Sequence, residues 1–151
     1  MSMWLVKTEP ESYSIADLER DGQTTWEGVR NYQARNSLRD MRMGERVLVY
    51  HSNAEPPGIA GVAKVVAEAT PDPTAWDPSS PYFDEGSPPS KPRWFWVSLG
   101  FVERFPRLIP LDELKGDPEL AGLEVARRGS RLSVTPVTDA HYAHILSIAR
   151  R

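Results

Sequence analysis

A chain of 151 residues that is 40% hydrophobic and 26% charged has the size and apolar content of one globular domain with a sizeable core, and no apolar run in it approaches the length that crosses a bilayer. Its formal net charge of -3 excludes a uniformly basic nucleic-acid coat, so any nucleic-acid recognition has to be local, and the absence of cysteine excludes a disulfide scaffold, a thiol nucleophile and a thiolate zinc site. Charge arrives after only six residues of MSMWLVKTEP, too early for a signal-peptide core, and the expectation is a cytoplasmic monomer with no membrane partner.

In chain order, MWLVKT (Met3 to Thr8) has the length of a short strand, which Pro10 ends. Ser14 begins a short helix with Asp17 as its capping-box partner, Ile15 and Leu18 as the buried face and Gly22 as the stop. A second helix runs from Asn31 or Tyr32 to Met41, capped by Asn31 and closed by Gly44. Glu45 to Ser52 and Gly58 to Glu68 are β-branched-rich strands joined as a hairpin. Thr70 to Pro92 holds seven prolines beside Trp76, Tyr82 and Phe83 and reads as a long loop, a type that is usually functional or disordered. Arg93 to Phe105, apolar on both faces at its start, is a central strand. Ile109 to Gly116 is a one- or two-turn helix and Arg131 to Val137 a last strand; Thr138 caps a terminal helix with a stripe of Tyr142, Ile145, Leu146 and Ala149. Strands and helices in this order, without strict alternation, predict an α+β domain whose mixed or antiparallel sheet curls toward a barrel and is flanked by helices.

Two segments are locally basic. Trp26 to Arg46 carries five arginines against three carboxylates and Arg127 to Arg151 five against one, balances of +2 and +4. Arg30, Arg35 and Arg131 in these segments are candidates for phosphate contacts, the alternative being solvated helix and tail charges.

The motifs KTEP (Lys7 to Pro10), WEGVRNYQARN (Trp26 to Asn36), YHSN (Tyr50 to Asn53), PGIAG (Pro57 to Gly61), KPRW (Lys91 to Trp94), IPL (Ile109 to Leu111) and RLSV with Pro136 occur together and in order. In this the chain resembles the EVE domain family over essentially its whole length. The resemblance implies a PUA-like fold, related to the YTH domains that read methylated adenine in RNA, and recognition of a modified base in DNA or RNA. It implies no cofactor and no metal, and it leaves room for a nuclease or other effector as a further partner. Two positions depart from the family's pattern. Glu27 stands where an aspartate is usual, and Phe83, followed by Asp84, aligns with a tyrosine usual in the proline-rich loop, so a hydroxyl there would be lost.

A methylated base has gained apolar surface and kept a hydrogen-bonding edge, so its reader needs aromatic faces and a few fixed polar groups. Trp26 suits a wall, and Gly28 suits a backbone that approaches a ligand closely. Asn31 and Tyr32 lie near a helix start, where a base edge or phosphate could sit; Tyr50, His51 and Ser52 end a strand, a usual place for ligand groups. The resemblance adds Lys7, Val29 and Trp94 to this set, with Phe83 or Trp76 of the loop expected to close over the base opposite Trp26. Each residue has a plainer alternative: Trp26, Trp94 and Trp96 as core, Asn31, Asn36 and His51 as caps, His141 and His144 as solvated rather than chelating. Two other functions compete. One is a hydrolase for nucleotides or damaged bases built on Lys7, Glu9, Glu11, His51 and Ser52, against which stands the lack of a catalytic triad order, a phosphate-cradling glycine loop or a metal-ligand cluster; the other is a protein-interaction adaptor using the proline-rich loop.

Overall fold

In the computed structural model, which describes residues 1–151, one mixed six-stranded sheet organises the chain in the order β2-β5-β4-β3-β1-β6. The strands are β1 (Met3–Thr8), β2 (Gln23–Thr25), β3 (Arg46–His51), β4 (Gly58–Pro71), β5 (Phe95–Pro110) and β6 (Val134–Val137), and the helices α1 (Ile15–Asp21), α2 (Tyr32–Asp40), α3 (Leu111–Gly116) and α4 (Asp139–Ala149). Only β1 and β3 are parallel; the other neighbours are antiparallel. The α+β, PUA-like expectation holds in its curled-sheet form, because β2 and β6 each have a single neighbour and the barrel stays open. Bulges along β3, β4 and β5 supply the curl.

Both faces of the sheet are covered, which is why β3 reads VLVY without polar alternation. Trp4, Val6, Val47, Val49, Val97 and Leu99 point to one face and pack under Ile15 and Leu18 of α1 and Ala34 and Leu38 of α2. Leu5, Leu48, Tyr50, Ile59 and Ile109 point to the other and pack under Leu114 of α3 and Ile145, Ile148 and Ala149 of α4. Burying each such leucine or isoleucine contributes about 1.5–3 kcal/mol. The caps are local chemistry. Ser14 and Asp17 bond each other's backbone at α1, the Asn31 side chain accepts from Ala34 N–H at α2, and Thr138 accepts from His141 N–H at α4. No helix is long and apolar enough to cross a membrane.

Several boundaries differ from the sequence expectation. β2 was not expected: three polar residues carry no periodic signal, and the strand exists because β5 offers it an edge. β4 continues past Glu68 to Pro71, and β5 continues past Phe105 to Pro110, so α3 begins at Leu111 rather than Ile109. Pro106 is tolerated there because β5 bulges: Phe105 to Leu108 lie opposite Ala60 alone, and the missing N–H removes no ladder bond. β6 begins at Val134 rather than Arg131, and Ile148 joins the buried stripe of α4 while Tyr142 and Leu146 are only partly buried. The proline-rich segment is folded on itself, with a 3-10 turn at Pro73–Trp76 capped by Asp72 and further turns held by Asp77 and Asp84.

Candidate functional site

A cleft of about 360 Å³ opens where the end of β1 meets β2. That volume lies in the range of small-molecule sites, about 300–1,000 Å³. Its floor is Lys7 and Thr8 of β1 with Thr24 and Thr25 of β2; its sides are Glu9, Ser12 and Tyr13 before α1, Trp26 to Val29 after β2, Ser133 before β6, and Tyr82 from the proline-rich segment.

Trp26 is fixed by pairing as well as by packing. Its N–H donates to Val97 O at 2.8 Å, extending the β2–β5 ladder by one residue, and Tyr13 meets its ring edge-on at 6.4 Å and 88°. Only 8% of Trp26 is exposed, and it belongs to the core under α1 and α2 while also lining the cleft. Wall and core are therefore the same side chain. Tyr13 is anchored by its hydroxyl, which donates to Asp21 at 2.9 Å; burial and that carboxylate push its pKa up.

Tyr82, the aromatic residue that the proline-rich segment adds to the cleft, is held by a network that begins with Gly28. Gly28 has φ +79°, and a Cβ there would meet the Tyr82 ring at 2.6 Å. Its N–H donates at 3.0 Å to Asp72, a fully buried carboxylate that also accepts from Thr74 N–H at 2.9 Å and from Arg30 at 3.1 Å. Burial alone would raise the Asp72 pKa, but these donors outweigh it and hold it below the usual carboxylate range. Arg30 also donates to the Thr74 hydroxyl at 3.1 Å, to Val29 O at 3.1 Å, and through Nε and Nη2 to Tyr82 O at 3.1 and 2.8 Å. Its plane lies between the Tyr82 and Trp94 rings, 5.7 and 5.5 Å from their centroids.

Of the residues expected to bind ligand, the structure brings Lys7, Trp26, Gly28 and Val29 to the cleft. Lys7 is its one cation; burial lowers its pKa, opposed by Glu124. The others lie elsewhere for identifiable reasons. Asn31 is the cap of α2, and Tyr32 stacks outward on Trp94 at 4.9 Å. Trp94 is buried behind the loop, its indole N–H donating to Asp84 at 2.6 Å. Tyr50 is buried in the other core, where burial raises its pKa. His51 Nε2 accepts from Ile15 N–H at 3.1 Å, capping α1 across the sheet, and burial followed by Arg104 lowers its pKa. Ser52 donates its N–H to Thr8 O and continues the β1–β3 ladder. Phe83 is exposed, and neither it nor Trp76 lines the cleft; the loop's contribution is Tyr82 instead, which brings a tyrosine hydroxyl.

The arginine assignments also change. All five N–H groups of Arg30 are engaged inside the molecule, so it ties the loop to the segment that leads into α2 instead of facing phosphate. Arg35 lies over the Tyr32 ring and bonds Arg93 O and Asn36. Arg131 is exposed, two residues from cleft-lining Ser133, and its guanidinium makes no internal hydrogen bond or ion pair. Thr8, Glu9, Ser12, Tyr13, Thr24, Thr25, Glu27, Tyr82 and Ser133 were not singled out as ligand groups from the sequence. The KTEP and WEG motifs bracket several of them and are the signal that pointed nearest.

With two carboxylates, seven hydroxyls, one lysine and no arginine, the cleft is rich in acceptors and suited to a neutral ring bearing an amino group more than to a phosphate. Residues 2–148 match the EVE domain family. Human thymocyte nuclear protein 1 is 42% identical over 170 residues, which cover 99% of this chain and 75% of the human one. A crystal structure of a Pseudomonas syringae protein superposes with a TM-score of 0.95 at 47% identity, covering 97% of this chain and 99% of that one. The human THYN1 protein, in a crystal structure in complex with 5-methylcytosine-containing DNA, superposes with a TM-score of 0.93 at 41% identity, covering 100% and 99%. A family match from residue 2 to residue 148, on a sheet and helices that superpose almost completely on those relatives, places this chain in the EVE domain family.

Proposed function

We propose that this chain is a binding module for DNA carrying a methylated cytosine, with the modified base seated between Trp26 and Tyr82. The observation that carries the reading is the cleft itself: Trp26 and Tyr82 both line it beside an acceptor-rich set of hydroxyls and carboxylates, in a fold whose human relative is in complex with 5-methylcytosine-containing DNA. Stacking against such walls contributes about 1–3 kcal/mol per base. The cytosine N4 amino group matches Glu9 or Glu27 as acceptor, and the Lys7 ammonium suits a carbonyl oxygen of the same ring. Phosphates stay outside, toward Arg131.

The methyl group itself is worth little if it is merely covered. Burying one CH₂-sized group yields about 0.8 kcal/mol, roughly fourfold in affinity, so stronger discrimination requires that the unmodified base leave a polar group unpaired. Titration of matched oligonucleotides that differ only in 5-methylation of one cytosine tests the reading directly. The methylated strand is expected to bind at least about fourfold more tightly, with methylated adenine and the RNA counterpart weaker; equal binding of methylated and unmethylated DNA would overturn it.

A further inference from the structure

Phe83 is 42% exposed, belongs to neither core, and has no aromatic or cationic partner, yet its backbone is tied on both sides. On one side the Tyr82 carbonyl takes two bonds from Arg30, at 2.8 and 3.1 Å. Its own N–H donates to Ser80 O at 3.2 Å, and on the other side Asp84 N–H donates to Ala75 O at 2.9 Å. The Asp84 carboxylate, which would repel a phosphate, is turned inward onto the Trp94 indole at 2.6 Å and Arg93 at 3.8 Å. A single exposed apolar side chain is ordinary; this one is set apart by the tied backbone on both sides of it and by its place next to Tyr82. The neighbouring Tyr82 already lines the base-sized cleft.

A base inside a duplex reaches such a cleft only by leaving the stack, which opens a gap and exposes the faces of the flanking pairs. Apolar side chains that enter base steps compensate that loss. We propose that Phe83 is the wedge that fills the gap when a duplex nucleotide is drawn into the cleft, so that the physiological ligand is duplex DNA, not a free single strand. This rests on the reading of the cleft given above.

The test compares wild type, Phe83→Ala and Phe83→Leu on a 5-methylcytosine oligonucleotide, single-stranded and as a duplex, with 2-aminopurine next to the modified base. Phe83→Ala is expected to weaken duplex binding by roughly tenfold while leaving single-strand affinity within about twofold, and to lose the 2-aminopurine fluorescence rise on duplex binding; Phe83→Leu retains most of both. Because Phe83 packs against no core, folding should be unchanged by circular dichroism. An unaltered ratio of duplex to single-strand affinity in Phe83→Ala overturns the wedge and leaves the cleft reading intact. A wild-type chain that binds methylated and unmethylated strands alike overturns both.

Discussion

Gly28 and Tyr82 offer the sharpest perturbation, since the two are 54 positions apart in the sequence and touch at one point. An alanine at position 28 meets two costs. The backbone sits at φ +79°, where an L side chain is disfavoured by about 1–2 kcal/mol. The new Cβ would also lie 2.6 Å from the phenol ring, so the ring has to turn away from the cleft. Tyr82 is partly exposed and its carbonyl stays tied to Arg30, so the ring can swing out without unfolding the loop. Stability therefore falls by the backbone term, about 1–2 kcal/mol, or roughly 2–8 °C in Tm for a domain of this size. Binding falls by whatever Tyr82 contributes, about 1–3 kcal/mol or roughly 5- to 150-fold. A double-mutant cycle on methylated DNA separates the two effects: Gly28→Ala and Tyr82→Ala each weaken binding, and the pair together weakens it no more than the worse of the two. Additive losses would mean that Tyr82 and Gly28 act independently, and the cleft as drawn would be wrong.

Trp26→Ala should destabilise the protein by about 3–5 kcal/mol in urea denaturation, because the ring is core as well as wall, whereas Trp26→Phe should keep the fold and lose part of the stacking energy in the oligonucleotide titration. Arg131→Ala should flatten the dependence of log K on log salt by about one, while Arg30→Ala should leave that slope unchanged and cost about 2–4 kcal/mol of stability by stripping donors from a buried carboxylate. The Asp72 pKa is lower in the folded state than in the unfolded, so its contribution to stability is full above about pH 4 and is lost as pH falls through the lowered folded value. Urea midpoints measured at pH 7 and pH 3 should therefore differ less in Asp72→Asn than in wild type.

Local chemistry made much of this molecule readable. Ser14 with Asp17, and Asn31 before a helical run, state their caps within four residues, and VLVY announces a strand buried on both faces. Trp26 followed by Gly28 marked one wall of the cleft because the peculiarity lies within three residues. The second wall did not show, since nothing near Tyr82 reveals that a glycine of positive φ awaits its ring. Arg30 misled for the same reason. A guanidinium in a basic stretch looks like a phosphate ligand unless its partner is known, and that partner, Asp72, is 42 residues away. His51 ended a strand like a ligand group and turned out to serve the amide of Ile15, 36 residues earlier. In each case an interaction between distant segments decided between two roles that one side chain can fill equally well.

The place of β1 in the sheet, between β3 and β6, sets a schedule for the ribosome. β1 and β3 can pair once residue 51 has emerged, but the outer edge of β1 stays open until β6 follows, on the order of ten seconds later at ordinary rates of synthesis. During that interval the apolar MWLVKT segment presents unpaired N–H and C=O groups, the kind of edge on which other chains add. The same late arrival completes the cleft, because Ser133 supplies its last side and Lys7 N–H finds its acceptor only in Ser133 O, at 2.9 Å. A nascent chain halted before β6 thus has both an aggregation-prone edge and an unfinished binding site, and ligand capture becomes a signature of translation past β6.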